Sequence, residues 1–192
     1  MSDIYDDPAF FKAYSQMDRS KKGLAGAGEW HELKTVLPDF SGKRVLDLGC
    51  GYGWHCRYAA EHGAKSVLGI DTSAKMLAEA AAKTTDQRIT YRRMDMQAID
   101  QLPDQFDIIL SSLAIHYIED YAQLVKKSVI SCQLAVILSC RLNIQFLQPK
   151  AKKSGSRMIK GTTFTGQLIA ISMKASGRLI FWGTRLKNTI AL

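Results

Sequence analysis

An apolar run that ends in a carboxylate and three alternating glycines is the feature that most restricts the fold of this 192-residue chain. Residues 45–48 are apolar except for Asp47, and glycine follows at positions 49, 51 and 53. Glycine permits positive φ angles and lets a ligand approach the backbone, and a following helix directs N–H groups at that ligand. The segment therefore predicts a buried strand, a ligand-binding turn and a helix in succession.

Strand and helix patterns alternate around and after this turn. Four apolar runs predict strands, at residues 44–48, 66–70, 89–92 and 106–110. Two further segments predict helices, at residues 54–62 and 73–83. Strands separated by helices pair in parallel through right-handed crossovers, with helices on both faces of the sheet. We therefore predict an α/β fold with a Rossmann-like, doubly wound sheet.

The acidic residues divide the chain at residue 127. Residues 1–127 contain all 18 acidic residues and 16 of the 26 basic ones, a net charge of −2, whereas residues 128–192 contain 10 basic residues and no acid. We predict a helical N-terminal cap at residues 1–42, a ligand-binding core at residues 43–127 and an atypical basic tail at residues 128–192. The sheet is therefore expected to be incomplete after its fourth or fifth strand.

Carboxylates stand at the ends of three consecutive predicted strands. Asp71 follows the second strand, where an acid can accept both hydroxyls of a ribose, and Asp95 follows the third, where it can accept from an exocyclic adenine amine. Met76 and Met96 can supply apolar contacts to the adenine ring. Because such sheets bind ligands at the carboxyl ends of their strands, these residues predict a nucleoside site at one edge.

The glycine spacing argues against a dinucleotide as the ligand. The chain has G-x-G-x-G, not the dinucleotide fingerprint G-x-G-x-x-G, and Asp47 lies two residues before the first glycine. The Asp47 carboxylate would repel a pyrophosphate and attract an ammonium group. We therefore expect a nucleoside that carries a cationic amine in place of phosphates.

With these residues, the chain resembles the class I S-adenosylmethionine-dependent methyltransferases over about residues 7–127. The fourth predicted strand and the residues after it, 106–117, also look like that family's fourth motif. The resemblance implies that S-adenosyl-L-methionine is the cofactor, that the methyl acceptor is a small molecule, and that the sheet is of the class I methyltransferase type. It implies no role for a metal ion.

The resemblance also implies individual roles in cofactor binding. Gly49, Cys50 and Gly51 would hold the methionine part, Asp71 the ribose, Asp95 with Met96 the adenine, and Ser111 would contact the cofactor through its backbone. The full implied set is Asp47, Gly49, Cys50, Gly51, Asp71, Thr72, Met76, Asp95, Met96 and Ser111.

His116 is the candidate catalytic base, because it follows the fourth strand near the expected position of the methyl group. A base is needed only if the acceptor must lose a proton, and the alternative is a hydrogen-bonded histidine in the wall of the acceptor site. Tyr14, Trp30 and Tyr117 are candidates for lining the acceptor pocket and facing the sulfonium. Packing alone explains these three aromatic residues equally well.

The acid-free tail suggests a shifted reading frame. We rebuilt each codon from the third base of one residue's codon and the first two bases of the next residue's codon. In this frame, residues 131–150 can be decoded as QLPAGGYFVLSVEHPIFTA and residues 173–192 as EGQRETDFLGHKVKKYHRT. Both strings restore acidic residues, and both are similar to the methyltransferase family. The hypothesis is a frameshift near Lys127, with residues 134–138 still β-prone enough to occupy the position of the fifth strand.

Three other functions stay open at this point. A Rossmann oxidoreductase would bind NAD, a non-catalytic remnant would bind the cofactor without turnover, and a basic protein would bind nucleic acid through its tail. We expect no nucleic-acid partner if the basic charge arises from the reading frame. Four cysteines without a CxxC pair and the absence of a secretory or membrane-spanning pattern predict a cytoplasmic protein with reduced thiols.

Overall fold

The computed structural model describes residues 4–103, 105–143, 165–173, 178–183 and 186–191. Its helices are α1 Pro8–Ser15, α2 Asp18–Lys22, α3 Trp30–Val36, α4 Trp54–Glu61, α5 Ala74–Ala82 and α6 Tyr121–Ser131. Its strands are β1 Arg44–Leu48, β2 Ser66–Asp71, β3 Ile89–Arg93, β4 Phe106–Ser112, β5 Cys132–Asn143, β6 Thr165–Met173, β7 Arg178–Gly183 and β8 Leu186–Ala191. Every strand and helix predicted in residues 43–127 is confirmed, with its ends moved by at most two residues.

The first five strands form a parallel sheet in the order β3-β2-β1-β4-β5. Val45 of β1 lies opposite Val67 of β2 on one side and Ile108 of β4 on the other. Strands β2 and β3 lie on one side of β1, and strands β4 and β5 lie on its other side. A crevice therefore opens between the carboxyl ends of β1 and β4, which is where sheets of this kind bind ligands.

Two apolar clusters cover the two faces of the sheet. Successive side chains of a strand point to opposite faces, so Val45 joins a cluster that includes Ala59 of α4, whereas Leu46 and Leu48 join a cluster that includes Leu124 of α6. All five of these residues are buried. The near-continuous burial of β1 and β4 agrees with the doubly wound architecture that the sequence predicts.

Three helices, α1 to α3, form much of the N-terminal segment that precedes β1. Pro8 stands at the first turn of α1, and the Asp7 carboxylate caps that turn by accepting from the Phe10 N–H at 2.8 Å. A short 3-10 turn, Gly23–Gly26, separates α2 from α3. Leu33 of α3 is buried in the cluster on the α4 side of the sheet, so the cap and the core pack together.

The later strands require a correction to the sequence-based fold. The expectation that residues 134–138 take the fifth-strand position is confirmed, because β5 pairs in parallel with β4. The sheet does not stop there, however: β6, β7 and β8 extend it as consecutive antiparallel strands. The β-prone, acid-free composition of this segment allows such pairing. The parallel part of the sheet ends at β5, and the frameshift stays a hypothesis.

None of the helices in the described residues is both long enough and apolar enough to cross a bilayer.

Candidate active site

The glycine turn after β1 has the left-handed backbone that only glycine adopts easily. Gly49, Gly51 and Gly53 have φ angles of 69°, 51° and 69°. A Cβ on Gly49 would collide with the Cβ of Ala114 and lie 3.2 Å from the Met96 methyl carbon, whereas a Cβ on Gly51 would meet nothing within 4 Å. Gly49 is thus fixed by its neighbours, and Gly51 faces open space at the edge of the sheet.

Asp71 joins the end of β2 to this turn. One oxygen of its carboxylate accepts from the Gly51 N–H at 2.9 Å, and the other accepts from the Ser73 N–H at 2.9 Å. Thr72 is exposed beside it, and its carbonyl accepts from Arg93 Nε at 2.8 Å. The structure therefore brings Asp71 and Gly51 together as predicted, and the contact between Asp71 and a ribose stays a prediction.

Asp47 is buried instead of lining the open edge. Its side chain is 1% exposed, and the Cys56 thiol donates to its carboxylate at 3.3 Å. Burial raises the pKa of Asp47 to about 7. Cys50, also buried, lies beside Cys56. The hydrogen bond with Cys56 lowers the pKa of the Cys50 thiol, but burial and the charges of Asp47 and Asp71 together outweigh it and raise that pKa. The attraction of Asp47 for an ammonium group stays a prediction.

The residues predicted to surround the adenine separate into an exposed and a buried group. Asp95 is exposed, and its carboxylate accepts from the Gln97 N–H at 2.8 Å. Met96 is half-buried and reaches the glycine turn through its methyl carbon beside Gly49. Met76, by contrast, is 2% exposed in the first turn of α5. Asp95 and Met96 are thus placed at the edge, whereas Met76 is buried in the structure.

Ser111 lies near the carboxyl end of β4, and His116 lies in the turn after that strand. The buried Ser111 hydroxyl donates to the Leu48 carbonyl at 2.9 Å, which joins the carboxyl ends of β4 and β1. His116 lies in the 3-10 turn Ile115–Tyr117 just after β4. Its side chain lies outside the part of the chain that is described, so its role as a base stays a prediction.

Three tyrosines meet beside the turn that follows β4. The hydroxyls of Tyr5 and Tyr117 lie 2.8 Å apart, and the Tyr5 ring packs edge-on against the rings of Tyr14 at 5.5 Å and Tyr117 at 6.0 Å. Sequence reasoning selected Tyr14 and Tyr117 and missed Tyr5. Trp30 lies elsewhere, against Tyr58 at 4.6 Å in the core cluster, so packing accounts for it.

Asp6 fastens the N-terminal residues to the first turn of α5. Its carboxylate accepts from Ser73 Oγ at 2.6 Å and from the Lys75 N–H at 3.1 Å, and the Arg93 guanidinium lies 3.6 Å away. The hydrogen bond from Ser73 is the largest cause that lowers the pKa of Asp6. Because Ser73 also donates to Asp71, the N-terminal residues are held beside the predicted ribose site.

Glu29 is a buried carboxylate that sequence reasoning missed. It is 4% exposed, and its Oε1 accepts from the Arg19 guanidinium and, at 3.2 Å, from the Ser112 hydroxyl at the end of β4. His55 of α4 has a buried Nε2 with no hydrogen-bond partner among the described residues, and burial lowers the pKa of His55 to about 4. A single acid in a glycine-rich loop has no distinguishing spacing, so nothing in the sequence marked Glu29.

Comparison with known proteins identifies the fold family. Residues 45–130 match the family described as "Methyltransferase domain". A Listeria monocytogenes structure described as an S-adenosylmethionine dependent methyltransferase is 52% identical, with a TM-score of 0.57. The chain has the Rossmann-like fold of the class I methyltransferases. The matched methyltransferase domain contains every predicted cofactor residue, from Asp47 to Ser111.

The methyltransferase relatives are longer than the matched part of this chain. The Listeria alignment covers 59% of this chain and 55% of that one. A methyltransferase structure from Mesorhizobium loti is 47% identical, with a TM-score of 0.58, and its alignment covers 62% and 55%. An uncharacterized protein of Haemophilus influenzae is 36% identical over 63% of this chain and 50% of its own length. The chain thus spans about half the length of these relatives.

Proposed function

We propose that the chain binds S-adenosyl-L-methionine at the carboxyl edge of β1 to β4 and transfers its methyl group to a small-molecule acceptor. The observation that carries this proposal is the hydrogen bond between Asp71 and the Gly51 N–H, which unites the glycine turn and the second strand end in one site. Two relatives of 52% and 47% identity are described as S-adenosylmethionine dependent methyltransferases, which supports the same cofactor here.

The residues at the edge fit the parts of this cofactor. A carboxylate can accept several hydrogen bonds, so Asp71 can hold its backbone partners and also accept from the ribose hydroxyls. Asp95 and Met96 offer a polar and an apolar contact to the adenine, and the open space around Gly51 admits the methionine part. The bound cofactor supplies an activated methyl group on a sulfonium, ready for in-line displacement.

The protein's own contribution is to align the reactants and to exclude water. The tyrosine group of Tyr5, Tyr14 and Tyr117 covers the crevice from the cap side. The cysteines of the described residues, Cys50, Cys56 and Cys132, are free thiols, which supports a reducing, cytoplasmic location. We propose no nucleic-acid partner, because Asp71 and Asp95, which we assign to the cofactor at this edge, are acidic and would repel phosphates.

Ligand-dependent melting tests the binding half of the proposal. S-adenosylhomocysteine, the product form of the cofactor, should raise the melting temperature of the full chain, whereas NAD should not, because ligands stabilise only the state that binds them. Asp71→Ala should abolish the shift. Stabilisation by NAD in place of S-adenosylhomocysteine would support the oxidoreductase alternative. Binding without methyl transfer to any acceptor would support the non-catalytic remnant.

A further inference from the structure

The geometry of the sheet determines from which side the acceptor arrives. This step rests on the proposed function. The adenosine end of the cofactor would lie over β2 and β3, where Asp71 and Asp95 stand, so its methyl group would point toward the crevice between β1 and β4. An in-line displacement requires the nucleophile on the side opposite the leaving sulfur. The acceptor must therefore approach from the β4 side, where Ser112 ends the strand.

Glu29 is the acidic group held on that side. Ser112 is the residue after the predicted cofactor contact Ser111, and its hydroxyl donates to Glu29 Oε1 at 3.2 Å. The Arg19 guanidinium donates to the same oxygen. Within the described part of the chain, both of these hydrogen bonds fall on Oε1. The second oxygen, Oε2, accepts neither of these two hydrogen bonds.

The charges around Glu29 select the kind of ligand group. The buried Glu29 and the half-buried Arg19 form an ion pair whose net charge is zero. His55 lies close to both, and burial keeps its imidazole neutral, with Nε2 unpartnered among the described residues. A charged ammonium or carboxylate would be left uncompensated here, at a high desolvation cost. An uncharged hydrogen-bond donor such as a hydroxyl meets no such cost.

We propose that Glu29 binds the hydroxyl group of an uncharged alcohol or phenol and accepts its proton during methyl transfer. The oxygen lone pair forms the new C–O bond as the C–S bond breaks. The electron pair of the C–S bond stays on the sulfur, which becomes a neutral thioether. The oxygen becomes strongly acidic as it bonds to carbon, so its proton passes to Glu29 Oε2 and later to solvent.

Methylation of a matched set of probes by the full chain tests this assignment. Phenol, catechol, aniline, thiophenol and benzoate carry different nucleophiles on one ring, and transfer is followed with S-adenosylmethionine labelled in its methyl group. We expect transfer to phenol or catechol. Glu29→Gln keeps the side-chain shape but cannot accept the proton, so it should lower kcat by about 100-fold or more and change KM and S-adenosylhomocysteine affinity less than about threefold.

Glu32→Gln is the matched control, three residues along the same segment, and should leave kcat unchanged. Thermal melting without ligand shows whether each variant folds. Transfer only to aniline, thiophenol or benzoate, no transfer to a hydroxylated probe by a chain that binds S-adenosylhomocysteine, or full activity in Glu29→Gln each overturns the assignment of Glu29. Failure of the wild-type chain to bind S-adenosylhomocysteine overturns the proposed function itself.

Discussion

Gly49 and Gly51 share a left-handed backbone and differ in their surroundings. Substitution by alanine costs about 1–2 kcal/mol at either position because of the backbone conformation. At Gly49 the added methyl also meets Ala114 and Met96, whereas at Gly51 it meets nothing within 4 Å. Overpacking of this kind costs about 1–3 kcal/mol more. Comparing the two alanine substitutions therefore separates the cost of the left-handed backbone from the cost of the steric collision.

We predict that Gly49→Ala lowers the free energy of unfolding by about 1–3 kcal/mol more than Gly51→Ala does. Urea denaturation of the two variants and the wild-type chain measures this difference, and Gly51→Ala serves as the control for the left-handed backbone. Equal losses of unfolding free energy in the two variants would show that Ala114 and Met96 move aside from the added methyl group at little cost.

Asp47 makes stability depend on pH. An aspartate in the unfolded chain has a pKa of about 3.9, and burial raises that of Asp47 to about 7. Between these values the folded state keeps a proton that the unfolded state has lost, so stability falls as the pH rises through this window. Below about pH 4 the carboxyl is protonated in both states and the penalty is absent.

We predict that the wild-type chain loses about 4 kcal/mol of stability relative to Asp47→Asn between pH 4 and pH 8, since asparagine carries no titrating group. Urea unfolding of both proteins at the two pH values gives the comparison. Parallel pH dependence in the two proteins would mean that Asp47 is ionised in the folded state at little cost.

At the scale of elements, the N-terminal residues Ile4–Asp6 connect two sides of the crevice. Tyr5 contacts Tyr117 after β4, and Asp6 binds the first turn of α5 through Ser73 and Lys75. The segment therefore passes over the carboxyl ends of the strands between these two anchors. Its loss from this position would expose the proposed cofactor site.

We predict that Asp6→Ala increases the dissociation rate of S-adenosylhomocysteine about tenfold, because hydrogen bonds to a charged group hold the segment in place. Stopped-flow or surface plasmon resonance measures the rate. Asp7→Ala is the control, since Asp7 caps α1 through Phe10 and none of its described contacts is to α5. An unchanged rate in Asp6→Ala would show that the segment does not retain the ligand.

Local patterns in the sequence predict the elements of the core, and they do not predict contacts between distant elements. The apolar runs and glycines fix β1 to β4 and the turn at Gly49, because those signals are contained within a few residues. The Asp6 contact with Ser73 and the Glu29 contact with Ser112 span 67 and 83 residues, so only the packed structure reveals them. The burial of Asp47 likewise depends on the Cys56 thiol from the next helix.

At the scale of the whole molecule, the charge divides at the boundary of the family match. Residues 1–127 have a net charge of −2, residues 128–192 have +10, and the methyltransferase match ends at residue 130. The hypothesis of a frameshift near Lys127 accounts for both the end of the match and the loss of acidic residues. Under that hypothesis, the basic charge of the whole chain is a property of its reading frame and carries no information about a partner.

We predict that a chain with the frame restored after Lys127 melts at least about 5 °C higher than the 192-residue chain, because the authentic strands would complete the sheet. Both chains should bind S-adenosylhomocysteine, since all proposed cofactor residues precede position 128. Resequencing of codons 125–135 provides the direct check. An intact frame that encodes Ser128 onward, or a restored chain of equal stability, contradicts the hypothesis.

The crystal structure of the complex with S-adenosylhomocysteine tests the central claim most directly. The account predicts that the adenosine lies across the carboxyl ends of β2 and β3, with ribose hydroxyls about 2.7 Å from the Asp71 carboxylate and the methionine part over Gly49 to Gly51. A ligand bound at another face of the sheet, or at this edge without contact to Asp71, would contradict it.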